Sequence, residues 1–184
     1  MTAVTVGARR RVDGPIVLAD YDRAWPILYE VEAARVRRAL GGRAIVLEHV
    51  GSTSIPGLPA KPIVDMVLAV RDSADEPRYL PSLVAAGYVL RIREPEWHEH
   101  RLFKGPDTDI NLHVFSAASP EIERMLTFRD WLRAHEEERE LYLRTKRELA
   151  AQDWTYVQDY ADAKGEVVEA IISRALAAGG RAGA

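Results

Sequence analysis

His49-Val50-Gly51-Ser52-Thr53-Ser54-Ile55-Pro56-Gly57-Leu58-Pro59-Ala60-Lys61-Pro62-Ile63-Val64-Asp65-Met66-Val67 joins a strand end, a glycine turn and a second, apolar strand in one run. A strand ends at Val50. Gly51 lets the chain turn tightly and lets a ligand approach the backbone. Ser52, Thr53 and Ser54 follow with three hydroxyls and a run of amides, a junction that can hold phosphate oxygens. Lys61 adds a point positive charge. Ile63 to Val70 is then nearly all apolar, as a strand covered on both faces is. Asp65 interrupts it. A carboxylate in such a strand must pair, accept hydrogen bonds, hold a metal or face a cleft. Two readings stay open: a structural Asp bonded to loop amides or Lys61, and a ligand-facing Asp.

Outward from this stretch the chain alternates element types. Asp22 is placed to cap a helix running to about Leu40, with Gly41-Gly42 ending it. Ile45 to Val50 reads as the first core strand. A helix is expected over 77–86, stopped by Gly87. Weaker strands are expected over 88–93 and 100–104. Asp109 to Phe115 alternates, with Ile110, Leu112 and Val114 on one face and Asp109, Asn111 and His113 on the other. Ser119-Pro120 starts a helix to about His135, and 136–151 forms a second, strongly charged one. Thr155 with Gln158 has capping-box spacing for a third, ending before Gly179. The expected fold is α/β (α+β): a mixed sheet with helices over 15–118, and about three C-terminal helices over 119–178 packed on it. Residues 1–14 and 179–184 are expected to be loose.

Composition bounds the function. The 184 residues are 47% apolar and 29% charged, enough for a packed core. Lys plus Arg total 25 against 28 Asp plus Glu, so nothing in the net charge of -3 points to nucleic acid. There is no cysteine, which removes disulfides, thiolate nucleophiles and Cys-type metal sites. No apolar run approaches the roughly 20 residues of a membrane helix. Arg9-Arg10-Arg11 is not followed by a signal-peptide core. The expected location is cytoplasmic, with no membrane partner.

Other residues carry two readings each. His49 and His113 can face one cleft from two strands, or be hydrogen-bonded structural histidines. His98-Glu99-His100 has alternate spacing that would join His113 in a metal site, but its polar surroundings also fit a solvated loop. Tyr142 with Lys146, and Tyr160 with Lys164, are i,i+4 pairs. Lys61, Lys146 and Lys164 are three of only four lysines in the chain, which points to anion binding; a helix–helix contact with a snorkelling Lys stem is the other reading. Phe128, Trp131 and Leu132 form a core stripe flanked by Arg129 and Asp130; Arg129 can reach the cleft, or the two can pair with other helices.

Gly-Ser at a strand end, followed by Asp in an apolar strand, resembles the polymerase-beta-type nucleotidyltransferase superfamily. The longer string is similar to one branch of it, the GrpB-like family. The matching pieces include Tyr21-Asp22-Arg23-Ala24-Trp25-Pro26, the stretch quoted above, Gly87-Tyr88, Asn111-Leu112-His113-Val114, Phe128-Arg129-Asp130-Trp131-Leu132-Arg133, Tyr142 with Lys146 and Tyr160 with Lys164. The resemblance implies a nucleotide or phosphorylated small molecule bound over Gly51, Ser52, Thr53 and Ser54, with Lys61, Arg129, Lys146 and Lys164 around it. It implies Mg²⁺ or Mn²⁺ on Asp65, and Asp65, Asp109 and His113 as catalytic groups. Such enzymes place a second carboxylate two residues after the first, so that both share a metal. Here that position is Val67. Glu48, Asp109, Asn111 and His113 are the available substitutes. The resemblance therefore leaves metal-dependent nucleotidyl transfer, a nucleotide-binding module without turnover, and a protein-interaction role through the charged helices.

Overall fold

The computed structural model describes Val4–Thr5 and residues 15–179. The loose arm expected over 1–14 and the tail expected over 179–184 otherwise lie outside the described residues. Val4–Thr5 forms a two-residue strand, β1, and Gly179 ends the last helix. The elements that follow are α1 (Ala24–Leu40), β2 (Val46–Val50), β3 (Val64–Val70), α2 (Leu80–Ala85), β4 (Val89–Glu94), β5 (His100–Lys104), β6 (Ile110–Ser116), α3 (Pro120–Ala134), α4 (Glu136–Ala150), α5 (Val157–Ala163) and α6 (Gly165–Gly179). One mixed sheet has the order β1-β4-β5-β6-β3-β2. Among the described residues β3 and β6 run parallel and the other pairings are antiparallel.

Alternation along each strand sorts residues between two layers. Met66, Leu68, Val70, Leu112, Val114 and Phe103 pack with Tyr29, Ala33, Val36 and Leu40 of α1 and Leu83 of α2. Val50, Val67, Ala69 and Phe115 face the other way, onto Ile122 of α3 and Trp97. A further cluster joins Ile55 and Leu58, from the loop after β2, to Phe128, Leu132, Tyr142, Ile171 and Ile172. The C-terminal helices thus hold the loop that carries the Gly-Ser turn. Among the described residues no helix is long and apolar enough to cross a membrane.

Three expected elements differ in detail. The helix expected over 77–86 is a 3₁₀ turn, Glu76–Arg78, followed by α2, because Pro77 and Pro81 each demand a helix start. The single helix expected after Thr155 is two, α5 and α6, broken at Lys164-Gly165, so four helices follow the sheet. Glycine at 165 is a poor helix-interior residue, and the chain turns there. The N-cap of α5 is Tyr156 rather than Thr155. The other starts hold: Ala24 N donates to Asp22 Oδ1 at 2.8 Å, and Glu121 N donates to Ser119 Oγ at 3.3 Å.

A buried polar pair ties α1 to the residue just before β4. Tyr88 donates its hydroxyl to Glu32 Oε2 at 2.6 Å, and both side chains are buried. Tyr88→Phe would strip a donor from a buried carboxylate. It is expected to lose about 2–3 kcal/mol, read as a lower urea midpoint at an unchanged denaturant slope.

Candidate functional site

Asp65 lies at the start of β3, on the face away from α1, with its side chain 28% exposed. It is opposite Val50 on β2 and Asn111 on β6. Asn111 Nδ2 donates to Asp65 Oδ1 at 2.7 Å. His113 Nε2 stands 3.7 Å from the same oxygen. Burial pushes the Asp65 carboxyl up, but His113, the Asn111 amide and the charge of Lys164 outweigh it and hold the group below its ordinary value. Asp65 is therefore a carboxylate near neutral pH. Gly51 is shaped by it. The backbone there has φ 69° and ψ -173°, a region essentially reserved for glycine. A Cβ at Gly51 would lie 2.5 Å from Asp65 Oδ2 and 2.9 Å from Asp65 Cβ.

The three hydroxyls after Gly51 do not share one role. Ser54 Oγ donates to Gly51 O at 2.6 Å, closing the turn. Thr53 Oγ1 donates to Ile63 O at 3.2 Å and stands 3.0 Å from His49 Nε2. Both residues are buried, so their hydroxyls build the turn and are not placed to meet a ligand as expected. Ser52 alone keeps a half-buried hydroxyl, 3.5 Å from the Tyr142 hydroxyl. Arg133 Nε and Nη2 clamp Ser54 O at 3.1 and 2.8 Å. Its i,i+4 spacing from Arg129 was the available signal for that clamp.

The lysines expected to bind an anion do come together. Lys61 and Lys164 place Nζ 5.7 and 4.6 Å from the centre of the Tyr160 ring. Lys146 Nζ is 5.1 Å from the Tyr142 ring and donates to Pro59 O at 2.6 Å. Such ring faces suit cations. Lys146 is 1% exposed. Burial first, then the neighbouring charge of Lys164, pull its ammonium down to about 7, with Asp65 opposing. The Tyr160 hydroxyl is buried with no hydrogen-bond partner among the described residues, and burial raises its pKa to about 12. Ser52, Asp65, the two tyrosines and three of the four lysines thus gather where the sheet end meets α4 and α5.

Arg129 is placed differently. Its guanidinium bonds Glu48 Oε2 at 2.9 Å, His49 O at 3.1 Å and Asp130 Oδ1 at 2.7 Å. Two carboxylates already neutralise it, so it fastens α3 to β2 rather than offering charge to an anion. Asp109 precedes β6, and its carboxylate takes an ion pair from Lys104 at 2.8 Å. Asn111 and His113, not Asp109, are the residues of this segment that meet Asp65.

The histidines also sort out. His98 sits in the β4–β5 turn with φ 54°, followed by Glu99 at φ 51°, so the strand alternation expected for His98-Glu99-His100 is absent. Among the described residues no group of three or more His, Asp, Glu or Cys is placed to hold a metal. His49 stacks on Tyr29 at 5.0 Å, on the α1 face. His100 stacks on Phe115 at 4.7 Å and bonds Glu94 and His113, a contact that no local periodicity signals.

Burial pulls the pKa of both His49 and His100 down to about 4. Above about pH 6.5 they are neutral in folded and unfolded protein alike. As pH falls below that value the unfolded chain takes up protons first, so stability is lost between about 6.5 and 4. The expected loss is roughly 3 kcal/mol per histidine. Urea melts across that window check it, with His49→Gln and His100→Gln each flattening the slope.

The donors around Asp65 do not make a magnesium site. Mg²⁺ wants several oxygen ligands, carboxylate, phosphate and water. Here there is one carboxylate. Its Oδ1 already accepts from Asn111 Nδ2. The next strand position on that face, Val67, is fully buried among Val50, Ala69, Phe115 and Ile122. The expected Mg²⁺ or Mn²⁺ on Asp65 lacks its ligand set.

A family model described as "GrpB protein" matches residues 15–174, which include every cleft residue named above. The chain is 58% identical over 174 residues to UPF0157 protein BH1888 of Halalkalibacterium halodurans, covering 95% of this chain and 89% of that protein. It is 48% identical over 163 residues to UPF0157 protein SCO7215 of Streptomyces coelicolor, covering 89% and 86%. It is 28% identical over 171 residues to a dephospho-CoA kinase of Mycolicibacterium paratuberculosis, covering 79% of this chain but 42% of that protein. Among solved structures, the conserved protein GrpB from Enterococcus faecalis superposes with a TM-score of 0.65 at 26% identity, covering 83% of this chain and 98% of that one.

Proposed function

This chain belongs to the GrpB family, and from that premise we propose that its cleft binds a phosphorylated small molecule, a nucleotide first among them, with lysines in place of a resident metal. The convergence of Lys61, Lys146 and Lys164 on Tyr142 and Tyr160, beside Ser52 and Asp65, carries this reading. An anion seated there offsets the burial, and the neighbouring charge of Lys164, that pull the Lys146 ammonium down. Phosphate is the anion that best uses several point charges and a hydroxyl donor. The likeness to nucleotidyltransferases and the name of the mycobacterial relative, a kinase, support a nucleotide-like ligand. Nucleotidyl transfer itself needs a clamp on the moving phosphate and an acceptor base. With valine at 67 and Asp109 engaged by Lys104, binding without metal-dependent transfer is the better-supported reading.

A thermal-shift panel tests it. The four nucleoside triphosphates and inorganic phosphate are each added with Mg²⁺, with Mn²⁺ and with chelator. A ligand at a hundredfold excess over Kd stabilises by about 2.7 kcal/mol, a rise of roughly 5–10 °C. The expected result is such a rise with chelator present. A rise that requires metal would return the protein to the transferase reading. No rise with any of them would remove phosphate from the cleft.

A further inference from the structure

Glu94, His100, His113 and Asp65 form a line across four strands on one face of the sheet. Glu94 Oε2 is 2.6 Å from His100 Nδ1, and His100 Nε2 is 3.1 Å from His113 Nδ1. His113 Nε2 is 3.7 Å from Asp65 Oδ1. His100 is 3% exposed and stacked against Phe115, with Trp97 at its edge. Such burial favours the neutral ring. A carboxylate oxygen against Nδ1 places the single proton there, since a carboxylate only accepts. His100 Nε2 is then an acceptor, so His113 must donate from Nδ1. With His113 neutral, its Nε2 is a lone-pair nitrogen facing Asp65; the hold it exerts on the Asp65 carboxyl belongs to its protonated form, which donates there instead. At that separation the two groups are not directly bonded. Both are acceptors, and Asp65 Oδ1 already receives Asn111. His113 and Asp65 are 21% and 28% exposed, open to a ligand that reaches them.

We propose that Glu94 and His100 are positioning residues that lock His113 in its Nδ1–H tautomer, and that the ligand brings an O–H or N–H donor to His113 Nε2 and Asp65 alongside its phosphate. The second half rests on the phosphate reading of the cleft and narrows it to hydroxyl- or amine-bearing phosphate esters. A purely structural His100 would leave the His113 tautomer free, and free imidazole prefers the proton on Nε2.

Two measurements decide it. The first is ¹⁵N-histidine NMR of the free protein near neutral pH. His100 and His113 are expected with protonated Nδ1 and bare Nε2. Glu94→Leu, which keeps the ring stack, is expected to shift His113 toward the Nε2–H form. An Nε2–H or doubly protonated His113 in the unaltered protein, or a His113 indifferent to Glu94→Leu, overturns the lock. The second compares inorganic phosphate, glycerol 3-phosphate and n-propyl phosphate by calorimetry. Glycerol 3-phosphate is expected to bind about tenfold more tightly than n-propyl phosphate, and the gap to shrink to about twofold or less in His113→Phe. Equal binding of the two esters overturns the donor requirement while the phosphate site stands. Failure of inorganic phosphate and both esters to bind overturns the cleft reading and the donor requirement with it, while the NMR result still judges the tautomer lock.

Discussion

Lys146→Met is expected to abolish binding of phosphate ligands and yet raise the stability of the free protein at neutral pH. Lys146 is buried, and its ammonium is pulled down to about 7 from an ordinary 10.5. Below about pH 7 it is charged in the folded and unfolded states, and the folded state bears the whole penalty of burying it. Between about 7 and 10.5 the unfolded chain still holds the proton while the folded one has released it. Stability contributed at this residue therefore rises with pH across that window. Methionine has a similar length and no charge, so the substitution removes both the penalty and the pH dependence. The gain at neutral pH is on the order of 3–5 kcal/mol as an upper value, less about 1 kcal/mol for the lost bond to Pro59 O. Urea melts at several pH values check the sign. The ligand-bound protein supplies the counterpart. An anion restores the ammonium, so binding above about pH 7 takes up close to one proton. Calorimetry in buffers of different ionisation enthalpy reads that uptake directly, and Lys146→Met should show none.

Gly51→Ala is expected to be the most damaging single-methyl change in the cleft. The added Cβ would fall 2.5 Å from Asp65 Oδ2 and 2.9 Å from Asp65 Cβ. Asp65 cannot withdraw, because its Cβ is fixed by β3 and its Oδ1 is held by Asn111. The backbone conformation at Gly51 adds strain of about 1–3 kcal/mol for any other residue. Together these predict a loss of about 3–5 kcal/mol, with ligand binding lost as the turn is forced off Asp65. Gly57→Ala is the control. Gly57 has φ 78° but nothing within 4 Å of an added Cβ, so only the strain of about 1 kcal/mol remains. Similar urea midpoints for the two variants would show that the close approach to Asp65 has no energetic weight.

The order of elements was legible because it rests on local pattern. The apolar run from Ile63, the alternation from Ile110 to Val114 and the Ser119-Pro120 start each follow from the period of a strand or the needs of a helix end. The same alternation put Asp65, Asn111 and His113 on defined faces, and their pairing across β3 and β6 follows it. The scarcity of lysine singled out three that the fold gathers. Where local signals competed, reading failed: Pro77 and Pro81 split one expected segment, and Gly165 split another.

Local pattern carries the strands, their faces, the glycine turn and the carboxylate beside it. Packing sets what those side chains meet. It turned the Thr53 and Ser54 hydroxyls inward, gave Arg129 to Glu48 and Asp130, gave Asp109 to Lys104, and joined Glu94 through His100 to His113. The physical reason is range. Periodicity fixes which way a residue points within its own element, whereas a hydrogen bond or ion pair depends on which elements the packed core brings within about 3 Å of each other.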